Sequence, residues 1–153
     1  MLVSLFHFCF MTKNILFDLG AVILEINLEN YINQLKKWTP NEPFKFDHKK
    51  HTFYNDFEKG LISQEIFFIK MKLAISNKVE ISELEAAWGT ILIAPFQLSF
   101  EFLKATKDRY NLYLLSNTNE AHRRQFDAIF ERNWGQNVFY NFFEKTFYSF
   151  EMQ

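Results

Sequence analysis

Two apolar runs, each closing on a polar turn, constrain this chain more than any other feature. The first is Asn14-Ile15-Leu16-Phe17, which ends in Asp18 and is followed by Leu19-Gly20-Ala21-Val22-Ile23. The second is Asn111-Leu112-Tyr113-Leu114-Leu115, which ends in Ser116-Asn117-Thr118-Asn119. Runs this apolar read as strands buried on both faces, the signature of a parallel sheet. In open parallel sheets the crevice beyond the carboxyl ends of the strands is where ligands bind. One strand therefore delivers a carboxylate to that edge, and the other delivers a hydroxyl with a turn of backbone amides. That pairing places a nucleophile beside an anion cradle.

The stretch between the runs is helical. Leu28, Tyr31, Ile32, Leu35 and Trp38 recur at helical spacing, predicting an amphipathic helix over 28–38 that Pro40 and Pro43 end. Residues 44–59 show no clean period. Ser63 is placed to cap a helix running through Ile66, Phe67, Ile69, Met71 and Leu73. Phe67, Phe68 and Met71 read as core of this helical block. Ser82 with Glu85 three residues on has the pattern of a capping box, opening a helix to Ile91, and Pro95 closes the block. A helix over about 98–108 leads into the second strand. Asn119 caps the next helix, with Ala121, Phe126, Ile129 and Phe130 on one face, and 145–150 reads as a further strand. Strands alternating with helices give an α/β architecture with a parallel sheet. The block after the first strand is too long for a simple crossover and is expected to stand over the sheet edge as a small α-helical cap. The expected division is a core of residues 11–26 and 96–153 and a cap of 27–95. Residues 1–10 read as an extension ahead of a natural start at Met11.

Composition excludes some functions. At 153 residues the chain builds one core with an insertion. A net charge of −1 argues against nonspecific nucleic-acid binding, which needs a basic surface. Residues 1–10 are apolar but too short to span a bilayer and lack a basic leader, so no membrane partner is expected. The single cysteine, Cys9, has no partner for an internal disulfide, which fits a reducing cytoplasm.

Phe17-Asp18-Leu19-Gly20-Ala21-Val22 followed by Leu114-Leu115-Ser116-Asn117-Thr118-Asn119 resembles the haloacid dehalogenase-like (HAD) hydrolase superfamily. The likeness is closest to its α-glucose-1-phosphate phosphatase and epoxide hydrolase N-terminal phosphatase branch, and it takes in the cap-like piece Tyr54-Asn55-Asp56-Phe57-Glu58-Lys59-Gly60-Leu61-Ile62-Ser63. The resemblance implies a Rossmann-like parallel sheet. It also implies hydrolysis of a small phosphorylated metabolite, most naturally a sugar phosphate, through an aspartyl phosphate on Asp18. Mg²⁺ would be held by the Asp18 carboxylate and the Gly20 backbone carbonyl, while Ser116 and Asn117 would bind the phosphoryl group. A carboxylate attacks a phosphate dianion only where nearby charge is neutralised, so these roles belong together.

The chain departs from the family pattern twice. Most family phosphatases carry a second aspartate at the Gly20 position as general acid and base, which glycine cannot replace. The sequence also stops at Phe150-Glu151-Met152-Gln153, ahead of the family's lysine and paired acids, so the expectation is a C-terminally truncated core with impaired activity. Lys145 precedes the last strand and makes a poor substitute. A metal-independent carbon–halogen hydrolase and a non-catalytic remnant are the alternatives. His48 and His51, at helical i,i+3 spacing, form a weak metal pair that reads rather as part of a solvated polar loop, and His122-Arg123-Arg124, placed just after the turn where it would meet a phosphate, reads rather as the exposed face of a helix. Oligomeric state and substrate are not legible.

Overall fold

The computed structural model describes residues 13–39 and 51–152. Strand β1 spans Asn14–Phe17 and strand β2 Leu24–Ile26. Helices α1 (Leu28–Trp38), α2 (Phe53–Glu58), α3 (Gln64–Ile75) and α4 (Ile81–Gly89) follow. The chain continues through β3 (Leu92–Pro95), α5 (Gln97–Thr106), β4 (Asn111–Ser116), α6 (Glu120–Trp134) and β5 (Lys145–Tyr148).

β1, β4 and β5 form a parallel sheet in the order β1-β4-β5, with Phe17 level with Leu114 and Ser116 level with Tyr148. All three strands thus end on one side, and that side carries Asp18, Ser116 and Ser149. The sheet has unequal faces. Phe17, Leu112, Leu114 and Tyr148 join Leu103 of α5 and Phe126 and Phe130 of α6 in one apolar cluster. Leu16 and Leu115 point the other way and remain 60% and 42% exposed. Among the described residues β1 pairs with β4 alone, leaving its outer edge free.

A second cluster joins the helices α1 to α4, with Tyr31, Leu35, Phe57, Phe67, Phe68, Met71, Leu84 and Trp88 at its centre. Phe67, Phe68 and Met71 are core residues, as their spacing indicates. The phenylalanines pack ring on ring, Phe57 on Phe67 at 4.2 Å and Phe130 on Phe139 at 3.9 Å between centroids. The helical segment is entered through β2 and left through β3, an antiparallel pair.

Three local expectations need correction. Residues 53–58 are helical, with Phe53, Tyr54 and Phe57 buried on one side, too short a helix for the pattern to repeat. The α4 cap lies two residues earlier than Ser82. The Glu83 carboxylate accepts from the Glu80 N–H at 3.0 Å, and Glu85 is freed to accept from Gln64 Nε2 at 2.8 Å, tying α4 to α3. This start turns Leu84, Ala87 and Trp88 inward together. Finally, α4 stops at Gly89, two residues short of the expected Ile91, and the stretch that closes the helical block is strand β3. A Cβ on Gly89 would meet the Gln125 side-chain amide at 2.7 Å, a contact that a shift of that flexible side chain would relieve. Residues 1–10 and His48 lie outside the described residues.

Candidate functional site

A cleft of about 530 Å³ opens at the carboxyl ends of the strands, lined by Leu16, Phe17, Asp18, Leu115, Ser116, Asn117, Ser149 and Met152. Its size suits a small metabolite. The three residues singled out from sequence as nucleophile and phosphate ligands, Asp18, Ser116 and Asn117, share this one cleft.

Asp18 follows the last β1 residue and is exposed. Its Oδ1 accepts from the Leu19 N–H at 2.6 Å, while Oδ2 has no partner among the described residues. The turn behind it is tightly wound. The N–H groups of Ile23 and Leu24 both donate to the Leu19 carbonyl at 2.9 Å, and the Ala21 N–H donates to the Leu24 carbonyl at 2.8 Å. These bonds bracket Gly20 and use neither its N–H nor its carbonyl. Ala21 takes a left-handed φ of 59°, an uncommon state for a residue with a Cβ and one that concentrates at functional turns.

Ser116 ends β4 at 4% exposure, and among the described residues its hydroxyl makes no hydrogen bond. Ser116 lines the cleft, so its hydroxyl is open to donate to whatever occupies it. The turn that follows is clamped by Ser149, the residue after β5: its Oγ accepts from the Thr118 N–H at 3.0 Å and donates to the Thr118 carbonyl at 2.9 Å. The Thr118 amide is thereby occupied and cannot face an anion. Asn119 Oδ1 caps α6 by accepting from the His122 N–H at 3.0 Å. The Asn117 side chain turns to the helical segment, its Nδ2 donating to Glu58 Oε2 at 3.1 Å.

The triplet after the turn does not greet a phosphate. His122 is buried, stacked on Trp88, with Nε2 at 3.2 Å from the Trp88 carbonyl. Burial pushes its pKa down to about 4, against the opposing pull of that carbonyl. Arg123 binds Asp127 at 3.2 Å and Glu151 at 3.0 Å and lies over the Tyr148 ring, so its charge is committed. Arg124 faces Glu120 at 4.0 Å. Lys145 sits at the start of β5, away from Asp18, with Nζ over the Phe147 ring. Among the described residues no lysine or arginine lines the cleft, and no group of three His, Cys, Asp or Glu is placed to hold a metal. His51 is buried with its ring edge against Phe53.

Sequence reasoning missed two residues of the site. Glu58 lay inside the cap-like stretch without a role, and Ser149 lay inside a run read only as strand. No local signal marks either one, because both meet the turn through tertiary contacts.

No family model matches the chain. A HAD family enzyme from Bacteroides thetaiotaomicron superposes with a TM-score of 0.82 at 30% identity, over 92% of this chain and 70% of that one. The chain belongs to the HAD family. A HAD-like family hydrolase structure from Porphyromonas gingivalis matches with a TM-score of 0.74 at 25% identity, over 93% of this chain and 68% of its own. Among curated proteins, the D-ribitol-5-phosphate phosphatase of Bacteroides thetaiotaomicron is 25% identical over 111 residues, 71% of this chain. This HAD chain spans about half, 54%, of that relative's length. Membership accounts for the order of strand, helical insertion, helix, strand, helix and strand. No described helix is long and apolar enough to cross a membrane.

Proposed function

We propose that this chain is a phosphomonoester hydrolase acting on a small phosphorylated metabolite, a sugar or sugar-alcohol phosphate, with Asp18 as nucleophile. The observation that carries this reading is the convergence in one cleft of Asp18 Oδ2 and the Ser116 hydroxyl, both without a partner among the described residues. The printed descriptions of relatives support it. One is a ribitol-5-phosphate phosphatase, and the Bacteroides HAD enzyme has been solved with magnesium and inorganic phosphate, where this chain matches it at 26% identity and a TM-score of 0.73.

The donors present fit Mg²⁺. It is a hard ion that binds through one or two carboxylates or carbonyls and keeps several waters. Asp18 offers Oδ1, which keeps a lone pair beyond the Leu19 N–H bond and leaves Oδ2 for attack, and the turn bonds leave the Gly20 carbonyl outside their ladder. Once bound, Mg²⁺ would neutralise charge between the carboxylate and a phosphate oxygen.

The protein's own contribution is positional. The Leu19 N–H fixes one Asp18 oxygen and leaves the other to attack phosphorus in line with the leaving alcohol. The Ser116 hydroxyl donates to a phosphoryl oxygen whose charge grows in the transition state. Ser149 holds the following turn so that Ser116 and Asn117 keep their places. An aspartyl phosphate on Asp18 would form as the alcohol departs, and water would then hydrolyse it. Gly20 supplies no proton to the leaving group, and among the described residues the cleft lining includes no carboxylate besides Asp18. Activated aryl esters, which leave unprotonated, are therefore the expected best test substrates.

The test is p-nitrophenyl phosphate turnover by the purified chain with Mg²⁺. Activity should disappear with EDTA and in Asp18→Asn, because an amide is not nucleophilic. Turnover that survives Asp18→Asn would show the nucleophile to be misassigned, and turnover indifferent to EDTA would remove the metal.

A further inference from the structure

Arg123 sits on the first turn of α6, where its N–H donates to the Asn119 carbonyl at 2.9 Å, and it is not among the residues that line the cleft. Its side chain grips the segment after β5 at two points instead. The guanidinium lies 4.4 Å from the centre of the Tyr148 ring, and Nη1 donates to Glu151 Oε1 at 3.0 Å. Between those two points lies Ser149, which bonds both the N–H and the carbonyl of Thr118. Met152, on the cleft wall, follows directly.

The guanidinium is itself held in place. Nε donates to Asp127 Oδ2 at 3.2 Å, while Asp127 Oδ1 accepts from the Tyr140 hydroxyl. The Tyr140 ring centre lies 5.3 Å from the same guanidinium. A lone ion pair with a carboxylate as exposed as Glu151, at 50%, contributes little. Here one planar fork serves two carboxylates and two aromatic faces at once, a geometry that the compact ammonium of a lysine does not match.

We infer that Arg123 is a positioning residue for the phosphate turn: by fixing Tyr148 and Glu151 it keeps Ser149 on Thr118, and so sets where Ser116 and Asn117 meet a phosphoryl group. This inference rests on the phosphatase reading of the same cleft. Arg123 touches no reacting atom, and its effect passes through the Ser149 hydroxyl. Placement matters on a fine scale, because a shift of about 1 Å in a reacting group can cost on the order of a hundredfold in rate.

The experiment measures two quantities on the 153-residue chain: solvent exchange of the Thr118 amide, and affinity for inorganic phosphate in Mg²⁺. Arg123→Lys keeps the charge and loses the fork. It should speed Thr118 exchange and weaken phosphate binding, each by about tenfold, the scale of one charge-assisted hydrogen bond. Glu151→Gln releases one grip at a half-exposed position, so it should fold and move both readouts the same way by less. The double variant should be no weaker than Arg123→Lys, because both substitutions act on one chain of contacts. Arg124→Met, on the exposed neighbour, should leave both readouts unchanged. If Arg123→Lys and Glu151→Gln lower the melting temperature but leave Thr118 exchange and phosphate affinity as they were, Arg123 is a fold contact only and this inference alone is overturned. If the unmodified chain binds no phosphate, the phosphatase reading falls and takes the role of Arg123 in it as well.

Discussion

The imidazole of His122 lies flat on the indole of Trp88, their centroids 4.6 Å apart and their planes 6° from parallel. This stack fastens α4 to the first turn of α6, directly behind the Ser116–Asn119 turn. Asn119 completes the joint: Oδ1 accepts from the His122 N–H at 3.0 Å, and Trp88 Nε1 lies 3.5 Å from the same oxygen. A neutral ring with its proton on Nε2 satisfies the Trp88 carbonyl and leaves Nδ1 to face Asn119 Nδ2 at 3.4 Å.

That joint should make stability pH-dependent. Burial lowers the His122 pKa from 6.5 to about 4, so between these values the unfolded chain binds a proton that the folded chain refuses. Stability is then complete above about pH 6.5 and declines as pH falls toward 4, by roughly 3 kcal/mol in all. Denaturant melts at pH 7 and pH 4.5 should show the loss, and His122→Gln should reduce it. An equal acid sensitivity in that variant would assign the effect to carboxylates instead.

Ser149 offers a second prediction. Ser149→Ala removes both bonds to the Thr118 backbone and leaves a buried N–H unpaired, at a cost of about 1–3 kcal/mol. Because the clamp positions Ser116 and Asn117, phosphate affinity should fall alongside the melting temperature. A variant as stable as the unmodified chain would show that water replaces the hydroxyl without penalty.

How much of this could be read from sequence follows from where the information lies. The β1 and β4 runs, the Ser63 and Asn119 caps and the α1 face are local patterns, and each is present in the structure. So is the gathering of Asp18 and Ser116 at one sheet edge, which needs only two strands to run parallel. The α2 helix was hidden because six residues give too few turns to show a period. The β2–β3 pair was hidden because its strands are three and four residues long and about 65 positions apart, so only tertiary pairing defines them. Glu58, Ser149 and the Trp88–His122 stack are contacts between distant segments, and no spacing rule reports them.

Gly20→Asp tests the missing acid. A Cβ at this position would lie 3.4 Å from the Cδ1 of Ile26, the far end of a flexible side chain, and the residue does not adopt a left-handed φ. The variant should fold, and a carboxyl two residues after Asp18 should be able to protonate a departing alcohol. Positioned general acids give about 10²–10⁴-fold, so turnover of an alkyl phosphate should rise by at least about tenfold even with imperfect placement. A well-folded variant with no gain would place the rate limit elsewhere.

The last prediction concerns the uneven sheet. Leu16 and Leu115 lie on the face opposite α5 and α6, 60% and 42% exposed, and β1 has a free outer edge among the described residues. An apolar edge strand with unpaired backbone groups is a template for association. Each large aliphatic side chain left in water forgoes about 1.5–3 kcal/mol of burial, so self-association that covers this face is favoured. The purified chain should bind a hydrophobic dye and elute at a size that grows with concentration. Leu16→Lys with Leu115→Lys should lower dye binding and shift the chain toward monomer, because charge on an edge opposes pairing. Neither residue belongs to the buried cluster on the other face, so the cost to folding should be small. A chain that stays monomeric at high concentration without binding dye would mean that this face is covered in solution, and the lysine pair would then destabilise it.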